Sequence, residues 1–123
     1  MRVGLRQREG EKKPTRYYSK RQEQKVADAT QGKRQVNSGA TLFAKGDVST
    51  DKVLIECKTK MSPSASISVK KEWIEKNRAE ALFMGKPYEA VAIAFGPGEE
   101  NYYIINEELF EKLLEVLQNE PSK

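Results

Sequence analysis

Two acidic residues and a lysine stand near the middle of the chain with spacing that suits a small polar site. Asp47 is followed nine residues later by Glu56-Cys57-Lys58, directly after a short apolar run. That run predicts a β-strand, in which alternate side chains share a face, so Glu56 and Lys58 point the same way about 7 Å apart. A turn at residues 49–51 would bring Asp47 beside Glu56.

Two carboxylates and an ammonium group at one end of a sheet point to a defined kind of chemistry. Mg²⁺ prefers oxygen ligands and usually binds through one or two carboxylates together with water and substrate phosphate. The lysine can stabilise phosphate charge or help to activate water, so the set is typical of metal-assisted phosphodiester hydrolysis. The alternative is an exposed strand on which Glu56 and Lys58 form a surface ion pair that contributes little stability.

Composition narrows the possible chemistry further. The chain has 123 residues, no histidine and one cysteine, a length typical of a single domain. Histidine bases, serine–histidine triads, cysteine–histidine pairs, cysteine-cluster zinc sites and internal disulfides are therefore excluded. Cys57 should face the core as a small buried hydrophobe rather than act as a nucleophile.

Charge is distributed unevenly along the chain. Residues 1–45 hold twelve Lys and Arg against four Asp and Glu, whereas residues 46–123 hold ten against fourteen. A basic leading segment beside a carboxylate site suits a polyanionic partner, although an ordinary solvated tail would have the same composition. The chain has no apolar run of about 20 residues and no signal-peptide pattern at its start, so we expect no membrane association and a cytoplasmic location.

The first half of the chain predicts an arm, a helix and a strand. Residues 1–18 resemble a flexible basic arm, and Ser19 is a candidate N-cap for a helix over about residues 20–30. On that helix Glu23 shares a face with Val26 and Ala27, as either a third carboxylate near the metal or the edge of an amphipathic helix. A strand over about residues 41–48 follows a turn-rich connection.

The remaining elements predict a small α/β domain. We expect a strand over about 52–60, a helix over 69–84 capped by Ser68, strands over 89–95 and 102–105, and a helix from Asn106 to about Leu117. A small mixed β-sheet flanked by helices accommodates this order.

The apolar residues of the two later helices predict which faces are buried. On the first, the expected buried stripe is Val69, Trp73, Ala81 and Met84, with Trp73 as a core anchor and Lys76 in solvent. On the last, the residues expected to face the core are Leu109, Phe110, Leu113, Leu114 and Leu117.

The sequence pattern around Asp47 and Glu56-Cys57-Lys58 resembles the PD-(D/E)xK nuclease superfamily, and closely its Holliday junction resolvase branch of archaea and phages. The similarity runs from about Ser19 to Leu117. The segments that carry it are Asn37-Ser38-Gly39-Ala40, Lys45-Gly46-Asp47-Val48, Ile55-Glu56-Cys57-Lys58-Thr59 and Val69-Lys70-Lys71-Glu72-Trp73. One departure is Gly46, where the family usually has proline.

The resemblance implies roles for individual residues. Asp47 and Glu56 would be metal ligands, with the main-chain carbonyl of Cys57 completing the protein's share. Lys58 would orient or activate water and stabilise the developing charge. Glu23 would be the helix-borne acidic residue of the site, catalytic and near the metal. Ser38 would contact the DNA backbone or the site.

The resemblance also implies an architecture and a partner. The core would be restriction-endonuclease-like (αββ…αβ), with residues 19–123 forming a single nuclease domain. The cofactor would be Mg²⁺, with Mn²⁺ able to substitute, and the protein would be a homodimer, which suits two cuts in a symmetric junction.

Three functions are compatible with this pattern. The first is a Mg²⁺-dependent endonuclease that resolves four-way DNA junctions in a prokaryotic cell or phage-infected host. The second is a general DNA-processing nuclease that cuts flaps, ends or other branched DNA, and the third is a nucleic-acid-binding module without catalysis. Lys33, Arg34, Lys45 and Lys60 bracket the motif and are candidates to hold flanking phosphates, or else are solvated charges.

Overall fold

A five-stranded mixed sheet lies at the centre of the protein, seen in a computed structural model that describes residues 15–35 and 47–121. The strands are β1 Lys33–Arg34, β2 Val48–Ser49, β3 Val53–Thr59, β4 Tyr88–Ala94 and β5 Asn101–Ile104. The helices are α1 Thr15–Thr30, α2 Lys71–Phe83 and α3 Glu107–Gln118. The predicted α/β class, a small mixed sheet with helices against it, is confirmed.

The described strands follow one another across the sheet in chain order. The single parallel pair among them joins β3 to β4, with Glu56 beside Val91 and Lys58 beside Ile93, and α2 makes the crossover between these two strands. The other pairs are antiparallel. A parallel pair needs a long crossover, so the chain must place α2 against the sheet next to β3.

Alternation along β3 divides the core between the two faces of the sheet. Ile55 and Cys57 point toward α1 and pack in a cluster with Val26, Ala27, Val48, Ala90 and Ala92. Residues 90–94 of β4 are all buried, as expected of a strand covered on both faces. Glu56 and Lys58 consequently lie on the opposite side of β3, which is the side of α2.

The start of the first helix differs from the prediction. α1 begins at Thr15, so Ser19 lies inside the helix instead of capping it. Residues 1–14 of the predicted arm lie outside the described residues, as do residues 41–46 of the predicted strand. The hydroxyl of Ser19 suggested a cap, but the helix begins a turn earlier, and the good helix formers that follow Ser19 continue it.

The predicted cap and buried stripe of α2 were also partly wrong. The N-cap is Lys70, which makes no side-chain capping hydrogen bond, and the buried residues of the helix are Asn77, Glu80 and Ala81. Val69 and Met84 are exposed. An apolar pattern could not identify a stripe in which two of the three buried residues are polar.

The last helix is capped as predicted but is not covered as predicted. The Asn106 side chain accepts a hydrogen bond from the Leu109 amide at 2.9 Å, which fixes the first turn. Leu109 is the one buried residue of α3. The other residues that we expected to face the core are exposed: Phe110, Leu113, Leu114 and Leu117. Within the described ranges, no helix has both the length and the apolar character required to cross a bilayer.

Candidate active site

The β2–β3 hairpin brings the two motif carboxylates together. Val48 pairs with Ile55, and the Asp47 amide just before it donates to the Ile55 carbonyl at 3.0 Å, so Asp47 lies beside the start of the Glu56-Cys57-Lys58 segment and lines the same cleft as Glu56. Thr50 closes the turn, because its hydroxyl oxygen accepts from the Val53 amide at 3.0 Å. The predicted neighbourhood of Asp47 and Glu56 is therefore present in the structure.

The carboxyl group of Asp47 is held by the backbone of the neighbouring strand. Its Oδ2 accepts a hydrogen bond from the Cys57 amide at 2.8 Å. Burial, followed by the adjacent charge of Glu56, raises the pKa of Asp47 to about 8, although the hydrogen bond from Cys57 opposes the shift. A cation bound at this point would relieve the repulsion between the two carboxylates.

Glu56 and Lys58 share one face of β3, as their spacing predicted. The Lys58 ammonium lies 3.4 Å from Oε2 of Glu56, and the Glu56 side chain is 17% exposed against 34% for Lys58. Burial raises the pKa of Glu56, while the charge of Lys58 opposes that shift. The pair is thus partly removed from water, unlike the freely exposed ion pair of the alternative interpretation.

These side chains open into a cleft of about 330 Å³ between β3 and the first turns of α2. The residues that line it are Asp47, Glu56, Lys58, Glu72, Trp73 and Lys76. Trp73, expected to anchor the core, is instead half-buried in the cleft wall. Lys76 is exposed to solvent as predicted, and it also lines the cleft. The spacing of Glu72, Trp73 and Lys76 places them on one helix face, and that was the signal available in the sequence.

Glu23 is near the carboxylate pair but has a partner of its own. Its Oε1 lies 3.4 Å from Nε of Arg34 on β1, and its side chain is 15% exposed. Its charge helps to raise the pKa of Asp47 and of Glu56. Across residues 15–35 and 47–121, however, no three Asp, Glu or Cys side chains are grouped to hold one metal ion. A three-carboxylate site is therefore not seen, and the pair of Asp47 and Glu56 remains.

Three of the predicted phosphate contacts belong to the described residues, and these three do not line the cleft. Lys33 and Arg34 form the edge strand β1, and Lys60 follows β3, where its amide donates to the Ala94 carbonyl at 3.1 Å. Ser38 and Lys45 lie outside the described residues. Among the residues that the structure describes, Lys58 and Lys76 give the cleft walls their positive charge.

Cys57 is placed as the alternation of β3 predicted. Its side chain is buried on the α1 face of the sheet. Burial, reinforced by the charges of Asp47 and Glu23, raises the pKa of the thiol. Burial therefore disfavours the thiolate, which is the nucleophilic form of cysteine.

The donor set fits a divalent cation that binds oxygen. Two carboxylates lie side by side with raised pKa values, and a cation such as Mg²⁺ uses one or two protein carboxylates and leaves its other positions to water and phosphate. No family model matches this chain, and neither a curated protein nor a solved structure matches it.

Proposed function

We propose that this protein is a Mg²⁺-dependent endonuclease that cuts branched DNA, with four-way junctions as its substrate, in the cytoplasm of a prokaryotic cell or phage-infected host. The observation that carries the proposal is the convergence of Asp47, Glu56 and Lys58 on one face of a single hairpin, at the mouth of a cleft. The resemblance to Holliday junction resolvases of the PD-(D/E)xK superfamily supplies the substrate class. The order of a helix, a hairpin, a crossover helix and a further strand is compatible with that resemblance.

The carboxylate pair has the role of holding the metal. Asp47 and Glu56 would bind Mg²⁺, or Mn²⁺ in its place, and the Cys57 carbonyl would contribute a third oxygen. When bound, the ion supplies Lewis-acid stabilisation of phosphoryl charge. The Cys57 amide keeps the Asp47 carboxyl in a fixed orientation, which reduces the ordering that binding requires.

The two lysines of the cleft have the role of holding phosphate. Lys58 is on β3 and Lys76 is on α2, so a phosphodiester between them would meet a positive charge from each wall. Lys58, beside Glu56, is placed to orient water and to stabilise charge that develops on the phosphate. Lys76 is placed to fix the substrate, and its charge opposes the rise in the pKa of Glu56 that burial causes.

The apolar face of α3 supports a homodimer. At 100° per residue, the apolar side chains form one continuous arc, with Leu109 docked at its edge and the rest exposed: Phe110, Leu113, Leu114, Val116 and Leu117. The neighbouring strand β5 lies at the edge of the sheet formed by the described strands. An exposed arc this wide is typical of a helix that packs against a partner, and two active sites suit a two-fold symmetric junction.

The experiment is cleavage of end-labelled DNA in Mg²⁺ and in chelator. The substrates are a four-way junction, a flap and a linear duplex, and the proteins are the wild type, Glu56→Gln, Lys58→Met and a control, Glu75→Gln, on the exposed side of α2. We expect symmetric cuts in the junction in Mg²⁺ from wild type and control, and a loss of at least about 10²-fold in the two site variants with binding retained.

Other outcomes of that experiment separate the alternatives. Equal cutting of all three substrates would indicate a general DNA-processing nuclease with the same site. Binding to DNA without cleavage in Mg²⁺ or Mn²⁺ would indicate a binding module and would contradict the proposal. Full activity of Glu56→Gln would show that the reaction occurs elsewhere in the protein.

A further inference from the structure

The Lys58 ammonium has two chemically different neighbours, a carboxylate and an aromatic ring. On one side Oε2 of Glu56 lies 3.4 Å away. On the other side the ammonium lies 4.8 Å from the centroid of the Trp73 ring. This distance is within the range of about 6 Å over which the face of an indole attracts a cation.

The Trp73 ring is a rigid contact for the flexible side chain of Lys58. Lysine carries its charge on a four-carbon stem with many rotamers, whereas an indole is rigid and has two side-chain torsions. Trp73 is in the first turn of α2, where its amide donates to the Lys70 carbonyl at 3.0 Å, and its side chain is half-buried. The ring therefore offers the ammonium one defined position.

The two contacts place different demands on Lys58. The Glu56 carboxylate, which pairs with Lys58, is also one of the two that would bind the metal. A carboxylate whose charge is partly neutralised by a bound metal attracts the ammonium less strongly. Metal binding would not weaken the contact with the indole in this way, because Mg²⁺ binds oxygen atoms and the indole ring has none. Contact with Trp73 would thus keep the ammonium in the cleft after Glu56 is engaged.

We propose that Trp73 is a positioning residue for Lys58: its ring holds the ammonium over the cleft independently of the ion pair with Glu56. The effect on catalysis rests on the proposed endonuclease function, whereas the contact itself does not. Trp73 acts through Lys58 and has no direct contact with reacting atoms in this role.

The contact can be measured without any enzymatic activity. The lysines of the full-length protein are reductively dimethylated with ¹³C-formaldehyde and a borane reductant, and the Lys58 signal is assigned by its loss in Lys58→Arg. We expect the ring current of Trp73 to shift that signal upfield of the exposed lysines. The shift should be smaller in Trp73→Phe and absent in Trp73→Leu. A Lys58 signal at the position of an exposed lysine in wild type would overturn the proposal, even if neither variant folds.

The catalytic consequence is tested with the same variants on the four-way junction. We expect Trp73→Leu to lower kcat by about 3- to 30-fold with KM nearly unchanged, and Trp73→Phe to retain most of the activity. An equal loss in both variants, or a loss confined to KM, would overturn the positioning role. If wild type cuts nothing, the proposed function fails, but the lysine signal still decides whether Trp73 holds Lys58.

Discussion

The carboxyl group of Asp47 lies where a negative charge is unfavourable without a cation. Burial and the neighbouring Glu56 raise its pKa from 3.8 to about 8, so at neutral pH the metal-free folded state favours the protonated form. An unfolded chain would hold this group ionised above about pH 4. The folded state therefore gains stability from the bound proton below pH 4, and that stability is lost as the pH rises toward 8.

We predict that Asp47→Asn stabilises the metal-free protein at high pH. In chelator, the free energy of unfolding of wild type should fall between about pH 4 and 8, because the unfolded chain ionises this carboxyl while the folded protein has to keep it protonated. The amide oxygen introduced by this substitution can still accept from the Cys57 amide and carries no charge, so the variant should exceed wild type by about 1–3 kcal/mol at pH 8.5. Urea denaturation at pH 4.5 and 8.5 measures this.

The matched control for that substitution is Asp51→Asn, on the exposed turn of the same hairpin. It should change the free energy of unfolding by less than about 0.5 kcal/mol at both pH values. A destabilised Asp47→Asn protein at pH 8.5 would contradict the electrostatic account of the site.

The residues of the hairpin could be predicted from the sequence, whereas those of α2 could not. The alternation of β3 and the turn after Ser49 are local, so they already determine that Glu56 and Lys58 share a face beside Asp47. The positions of Trp73 and Lys76 depend on the rotation of α2 about its own axis against the sheet. Contacts with side chains distant in sequence set that rotation.

At the scale of elements, two buried amide side chains tie the helices to the parallel strands. From α1, Nε2 of Gln22 donates to the Lys58 carbonyl at 2.9 Å and to the Ala92 carbonyl at 3.3 Å. From α2, Nδ2 of Asn77 donates to the carbonyls of Leu54 and Ala90 at 3.3 and 3.1 Å. Each helix therefore holds both β3 and β4, which fixes the strand that carries the site.

We predict that Asn77→Ala lowers the free energy of unfolding by about 1–3 kcal/mol, because it removes two buried hydrogen bonds and leaves a small cavity. The control, Glu75→Ala on the exposed face of the same helix, should change it by less than about 0.5 kcal/mol. Equal values for the two variants in urea titrations would show that Asn77 is not a structural tie.

The same contacts explain why the strands and the sheet class could be predicted better than the helix faces. β4 is recognisable from its continuous apolar residues, and the crossover between parallel strands follows from chain order. The buried side of α2 includes Asn77 and Glu80, which composition assigns to solvent. The burial of Asn77 depends on the carbonyls of Leu54 and Ala90, partners that only the folded sheet provides.

At the scale of the molecule, α3 is amphipathic but is covered along one edge only. The sequence predicted that α3 has an apolar face, but not which surface packs against that face. Within a single copy, Leu109 is the one residue of α3 that is buried. The exposed arc is the surface that a second copy would cover under the proposed dimer.

We predict that the wild type sediments as a dimer of the 14.0 kDa chain and that Leu113→Glu with Leu117→Glu makes it monomeric. A charge in the centre of the apolar arc would be buried without a partner, which is strongly unfavourable. The control, Lys112→Glu, adds negative charge off the arc and should leave the dimer intact. A monomeric wild type at micromolar concentration, or a dimer that survives the double substitution, would contradict this interface.

The most direct test of the site is binding of Mn²⁺ followed by electron paramagnetic resonance of the free ion. We predict that wild type binds a single Mn²⁺ per chain, that Mg²⁺ displaces it, and that Asp47→Asn and Glu56→Gln each weaken binding by roughly tenfold or more. Asp51→Asn should bind as wild type does. If wild type and Glu56→Gln take up Mn²⁺ equally, the two carboxylates of the hairpin do not form a metal site.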